Sequence, residues 1–178
     1  MLWAIPIGIV VGLLARGRLE HLSTFRFRWA WLAVAGLLVQ LGLFTDAGAA
    51  VAGPLAPWIY IGSTLAVFVA VVRNIRVPGM PLVALGALSN LAAIVANGGF
   101  MPASPEALTA AGLPIVDHAN SVVLENPALE PLTDIFALPA WLPFANVFSV
   151  GDVLIAVGIA WTIVATMRRG PSAAAAAG

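Results

Sequence analysis

The sequence predicts an all-α protein, an integral membrane bundle of five transmembrane helices with its N-terminus outside, its C-terminus cytoplasmic and one long structured outer loop. Three observations carry this expectation. Of the 178 residues, 61% are hydrophobic and 9% charged, and the mean hydropathy is +1.02, far outside the range of a soluble domain. The apolar residues gather in runs at about 1–15, 29–44, 57–72, 77–96 and 147–167. All eight basic residues are arginines, confined to 16–28, 73–76 and 168–169, so chain crossings that alternate from the first run onward put every one of them on the cytoplasmic side. Residues 1–170 then form a single transmembrane domain in the cell membrane, and the Ala-rich stretch 171–178 is expected to be a disordered tail.

Each run has its own justification. Met1–Leu14 is apolar but short for a hydrocarbon core of roughly 30 Å, so it either crosses with its flanks included or lies in the interface. Its arginines follow rather than precede it, the reverse of a secretory signal, and it reads as a retained anchor. Arg16, Arg18, Arg26 and Arg28 make 16–28 the most basic segment. Asp46, Glu106, Asp117, Glu125, Glu130 and Asp134 all fall on the opposite side, with Glu20 the exception. Trp3, Trp58 and Trp141 lie near the outer boundary and Trp29 and Trp31 near the inner one, as an aromatic belt requires, while Trp161 reads as packing. Small residues such as Gly86, Ala87 and Ser89 in the fourth run and Ala156, Gly158 and Ala160 in the fifth allow close helix approach.

Residues 97–145 are the one long connection. Ser104-Pro105-Glu106 has the pattern of an N-cap, an N1 proline and an early acid, which predicts a helix over Pro105–Ala111 stopped by Gly112. Leu138-Pro-Ala-Trp-Leu-Pro-Phe144 is apolar and proline-rich, suited to the outer interface, and with the short helix it could form a lid over the fourth and fifth spans.

The composition excludes several functions. Eight acids balance eight bases, leaving no basic footprint for nucleic acid. The absence of cysteine removes disulfides and thiolate chemistry. No phosphate loop, dinucleotide fingerprint or zinc-protease helix is present, and no cofactor is expected. Asp117-His118, Glu125 and Asp134 have the composition of a cation site, but a solvated loop is the expected state and no metal is assigned.

The polar residues that remain are few. Ser149 and Asp152 open the fifth span with the spacing of a capping box, in which hydroxyl and carboxylate each accept from a free N–H of the first turn. An ionisable group just inside a membrane helix is also a functional candidate, as a catalytic acid/base or a polar anchor. Asn90 and Asn97 stand seven apart, on nearly one face of the fourth span. Asn90 either bonds across helices, worth about 1 kcal/mol, or belongs to a site. Asn97-Gly98-Gly99 is either a helix stop or a backbone that admits a ligand closely. Met101 lies in the turn Phe100-Met-Pro102 that would wall such a site.

Taken together, Ser89-Asn90, Asn97-Gly-Gly-Phe-Met-Pro-Ala-Ser104 and Asn146-Val-Phe-Ser-Val-Gly-Asp152-Val-Leu-Ile resemble a family of uncharacterised small bacterial integral membrane proteins, a domain of unknown function. The resemblance covers nearly the whole chain and implies no activity. A more distant similarity is to lipoprotein signal peptidases, four-span aspartic proteases. Phe148-Ser-Val-Gly-Asp152 resembles their Phe-Asn-x-Ala-Asp motif, and Gly86-Ala-Leu-Ser-Asn90-Leu-Ala-Ala93 their Gly-Ala-x-Gly-Asn-x-x-Asp segment. The likeness implies a catalytic role for Asp152 and an outward-facing cleft. Ala93 stands where the second aspartate is expected, Ser149 replaces the motif asparagine, and no Asp-Arg pair follows Asn90. Asp134 is the loop acid that could substitute for the missing carboxylate.

The expected function is therefore binding, in an outward-facing polar pocket between the fourth and fifth helices. Its occupant would be a lipid, a lipidated peptide or a small amphiphile. Asn90, Asn97, Gly98, Gly99, Met101 and Ser149 would line it beside Asp152. The alternatives are a signal-peptidase-like membrane hydrolase using Asp152, and a structural subunit of a membrane complex. Membrane lipid, a lipidated peptide or a membrane-protein partner are the expected partners.

Overall fold

The computed structural model describes residues 3–115 and 121–169, and these are mostly helical. The helices are α1 (Ala4–Leu14), α2 (Ala30–Leu43), α3 (Asp46–Ala52), α4 (Ala56–Arg73), α5 (Met80–Ala96), α6 (Pro105–Ala111) and α7 (Val150–Arg169). Two helical stretches are long and apolar enough to cross a membrane, Asp46–Arg73 with 28 residues and Val150–Arg169 with 20. The other apolar helices, α1, α2 and α5, are shorter than that. At about 1.5 Å per residue α1 is only roughly 16 Å long.

Local chemistry explains where the elements differ from the expected runs. Residues 46–52 form α3, a helix not foreseen, because the Thr45 hydroxyl caps it by accepting from Gly48 N at 3.0 Å and the segment is rich in alanine. The fourth run begins its helix at Met80 rather than 77 because Gly79, at φ +90°, turns the chain into α5. The fifth begins at Val150 rather than 147 because Val147 and Phe148 are taken up in a strand pair. α6 has the expected bounds, with the Ser104 hydroxyl accepting from Ala107 N at 3.0 Å and Gly112 closing it at φ +68°.

The helices stand side by side in the order α2, α4, α5, α7, α1. Contacts along each pair fix their directions. Gln40 donates to Thr64 at 3.1 Å while Phe44 packs edge-on against Tyr60, so α2 and α4 are antiparallel. Tyr60 clusters with Ala93 and Ile94, and Val71 with Met80 and Val83, so α4 and α5 are antiparallel as well. The Thr162 hydroxyl reaches Pro78 O at 2.8 Å while Asn90 meets Asp152, which sets α5 antiparallel to α7. Gly8 of α1 lies on Ala160 and Gly12 on Met167, so α1 runs parallel to α7. Direction thus alternates along the sequence through α1, α2, α4, α5 and α7. The arginines collect at one end of the row and the 97–149 connection at the other.

Glycine brings the central pair together. A Cβ on Gly158 would meet Val83 Cγ2 at 2.6 Å and Gly79 O at 2.7 Å, so α5 and α7 touch backbone to side chain with no space between them. At the arginine end, Asn74 is 3% exposed. Its amide donates to Arg28 O and Ala70 O, and its oxygen accepts from Arg28 N, joining the first two arginine segments.

The connection is folded. Strand β1 (Met101–Pro102) pairs in parallel with β2 (Ser121–Val122), and β3 (Phe136–Ala137) pairs antiparallel with β4 (Val147–Phe148). Between them Leu132 returns to pack on the cluster of Leu43, Tyr60, Ala93, Ile94 and Met101. Trp141 and Phe144 of the proline-rich segment are exposed. Asp117, His118 and the expected tail at 171–178 lie outside the described residues.

Candidate functional site, a carboxylate cluster beside an apolar groove

Ser149 precedes α7 because β4 delivers the chain in an extended form and the box residues then satisfy the helix start. Asp152 N donates to Ser149 Oγ at 3.1 Å, and Ser149 N donates to Asp152 Oδ2 at 3.1 Å. This is the reciprocal capping box. The box also reaches another helix. Asn90 Nδ2 donates to Asp152 Oδ1 at 2.9 Å, and Ser149 Oγ donates to Asn90 Oδ1 at 2.8 Å. Asp152 is therefore both a cap and one corner of an interhelical triangle with Asn90 and Ser149, the last of which is fully buried.

A second carboxylate approaches from the connection. Asp134 N donates to Pro102 O at 2.9 Å and Ser104 N donates to Asp134 O at 3.1 Å, so two backbone bonds hold its position rather than leaving it to swing. Its Oδ1 is buried without a hydrogen-bond partner. Burial first, and then the charge of Asp152, push its carboxyl up to about 7, because an ion loses hydration in this setting and also faces a like charge. Tyr60 of α4, itself buried, lies within electrostatic range of both acids.

Beside the cluster runs an apolar groove of about 670 Å³. Its walls are Trp3 and Ile7 of α1, Phe144 and Phe148 from the connection, and Val153 and Val157 of α7, with Asp152 the one charged residue in its lining. The groove lies on the flank of α7 that faces α1, whereas the flank facing α5 is closed by the Gly79, Gly86 and Gly158 contacts. This placement differs from the expected pocket between the fourth and fifth spans. The physical reason is that the small residues there bring backbones together instead of leaving room.

Asn90, Ser149 and Asp152 are thus brought together. Asn97, Gly98, Gly99 and Met101 are not in that cluster. Asn97 ends α5 and clamps the connection, its amide donating to Ala93 O and Ala128 O and its oxygen accepting from Ala128 N, each at 2.8 Å. Gly99 packs on Pro57, a Cβ on Gly98 would meet nothing within 4 Å, and Met101 is core. Glu125 lines a separate hollow with Glu106 and Glu130. Sequence reasoning named Asp134 as the loop acid that could join Asp152 but did not foresee that it is held in place and buried, and it gave no role to Tyr60. The available signal was that Asp134 is the loop acid followed directly by an apolar run, Ile135-Phe-Ala-Leu138.

The model for the family of unknown function DUF5317 matches residues 24–164, and the chain belongs to that family. No curated protein and no solved structure matches it.

Proposed function

We propose that this member of a family without assigned function is a five-span membrane protein that binds an amphiphile, with the apolar chain in the α1–α7 groove and the polar head at Asp152. The observation that carries the reading is the groove itself, roomy, apolar and ending at one carboxylate, a combination suited to a molecule with one polar end. The membrane setting is supported by where the apolar side chains point. Only 22% of each long apolar window is buried within the protein, whereas a core helix of a soluble domain is mostly buried. Trp31, Leu38, Leu41, Trp58 and Leu85 face outward. The alternating helix directions and the arginines gathered at one end suit five crossings with the groove mouth outside; the short helices α1 and α2 then need their flanking segments or local bilayer thinning to complete the span.

Native mass spectrometry in mild detergent tests the reading without a guess at the ligand. Wild type should carry an amphiphile that Ala156→Phe, which fills the groove, cannot hold. Identical adducts in both proteins would refute it.

A second reading, hydrolysis of a lipid-linked substrate, is favoured by Asp134. A carboxyl held up to about 7 keeps its proton where an ordinary one has lost it, and a protonated acid beside an ionised one is what a general-acid and general-base pair needs. In this reading Asp134 stands in for the second carboxylate that the resemblance to signal peptidases lacks at Ala93. Turnover abolished by both Asp134→Asn and Asp152→Asn, with folding retained, is the expected result; activity surviving either change would remove the reading.

A further inference from the structure

The groove reading leaves the head group open, and the distribution of charge and aromatic rings around Asp152 narrows it. Asp152 is the charged residue of the lining, and Asp134, outside that lining, lies within its electrostatic reach. Both oxygens of Asp152 already accept one hydrogen bond each, from Asn90 and from Ser149, so this carboxylate offers negative charge, beside the neutral amide of Asn146 in the same lining. Among the described residues no positive side chain is present at this end. The arginines of α7 stand at 168 and 169, some 16 residues along the helix from Asp152, or roughly 24 Å at the α-helical rise. An anionic head would therefore meet the Asp152 carboxylate with no counter-charge among the described residues.

The walls add a second, independent feature. Trp3, Phe144 and Phe148 line the same groove as Asp152, and Phe148 is held in place by stacking on Phe136, ring centroids 5.6 Å apart. Aromatic faces beside a carboxylate attract cations, and quaternary ammonium groups are the ligands such surroundings favour because they are bulky, weakly hydrated and cannot donate hydrogen bonds. Ile7, Val157 and Ala160 continue the groove away from Asp152, with no polar side chain to receive a second head.

Building on the groove reading, we infer that the amphiphile carries a cationic head, an alkylammonium group, seated at Asp152 among the rings of Trp3, Phe144 and Phe148 with its chain running toward Ala160. The site would select this class by charge and ring contact and would reject fatty acids of the same chain length.

Three probes share one chain and differ only in the head: dodecyltrimethylammonium, dodecanol and dodecanoate. Binding to the full-length protein in dodecyl maltoside is measured by native mass spectrometry. Wild type should retain the trimethylammonium compound about tenfold more tightly than either of the others, a preference within reach of one cation–π contact plus one charge pair. Asp152→Asn, which keeps an acceptor for Asn90, should reduce the three to equal binding. Trp3→Leu, which keeps the wall apolar but removes the ring, should cut the preference several-fold. Equal retention of the three probes by wild type, or preference for dodecanoate, would overturn the head-group inference while leaving the groove intact. If Ala156→Phe holds all three as well as wild type does, the groove reading itself fails and the inference falls with it.

Discussion

Asp134 makes the stability of this protein depend on pH in a direction opposite to the usual salt-bridged carboxylate. The group titrates at 3.8 when unperturbed and is pushed up to about 7 in the fold, by burial and then by the Asp152 charge. The folded state therefore keeps a proton that the unfolded chain has released, and stability falls as pH rises between the two values. At about 1.4 kcal/mol per pH unit, the whole interval corresponds to a loss of roughly 4 kcal/mol, of which roughly 2 kcal/mol falls between about pH 5.5 and about pH 8.5. For a chain of this size that is a drop in Tm of roughly 4–8 °C. Thermal unfolding in detergent, followed by circular dichroism across that range, reads the effect. Asp134→Asn cannot ionise and should lose this slope, becoming more stable than wild type at the alkaline end. Asp152→Asn removes the second cause and should move the wild-type midpoint downward. Equal pH dependence in wild type and Asp134→Asn would refute the argument, because the curve would then arise from groups other than Asp134.

Further outcomes follow from particular contacts. Gly158→Leu should destabilise by about 1–3 kcal/mol, read as a lower unfolding midpoint, since its Cβ alone already meets Val83 Cγ2 at 2.6 Å. Asn90→Ala removes the acceptor of the Ser149 hydroxyl proton and the donor to Asp152 Oδ1 and should cost about 1–3 kcal/mol; a double-mutant cycle with Asp152→Asn showing no coupling would contradict the triangle. Asn97→Ala removes the clamp on Ala128 and should speed proteolysis near residues 125–132 while leaving the helices protected. The chain contains no cysteine, so Glu106→Cys and Arg26→Cys report orientation directly. An impermeant maleimide added to intact cells should label the first and not the second, and the reverse pattern would invert the proposed topology.

Some features were legible in the sequence because their causes are local. The helical character follows from long apolar runs free of strand alternation. The bounds of α6 follow from Ser104, Pro105 and Gly112, whose capping and φ preferences act within a few residues. The Ser149 and Asp152 box is set by spacing alone. Other boundaries were displaced by local chemistry that hydropathy does not register, such as Gly79 at the start of α5 and the β3–β4 pair ahead of α7.

The sequence by itself determined that this chain is mostly helical, that its arginines are segregated, and that a cap at Asp152 begins the last helix. The first and last of these depend on residues within one or two turns of each other, and the second is read directly from residue positions along the chain. Only the tertiary structure decided that α1 lies parallel to α7, that the glycine stripe closes the α5 flank while a groove opens on the other, and that Asp134 comes within the field of Asp152. Those outcomes depend on which faces of sequence-distant helices meet and on how closely. In a chain apolar on nearly every face, the hydrophobic pattern does not distinguish one neighbour from another; glycine contacts and a few buried polar atoms do.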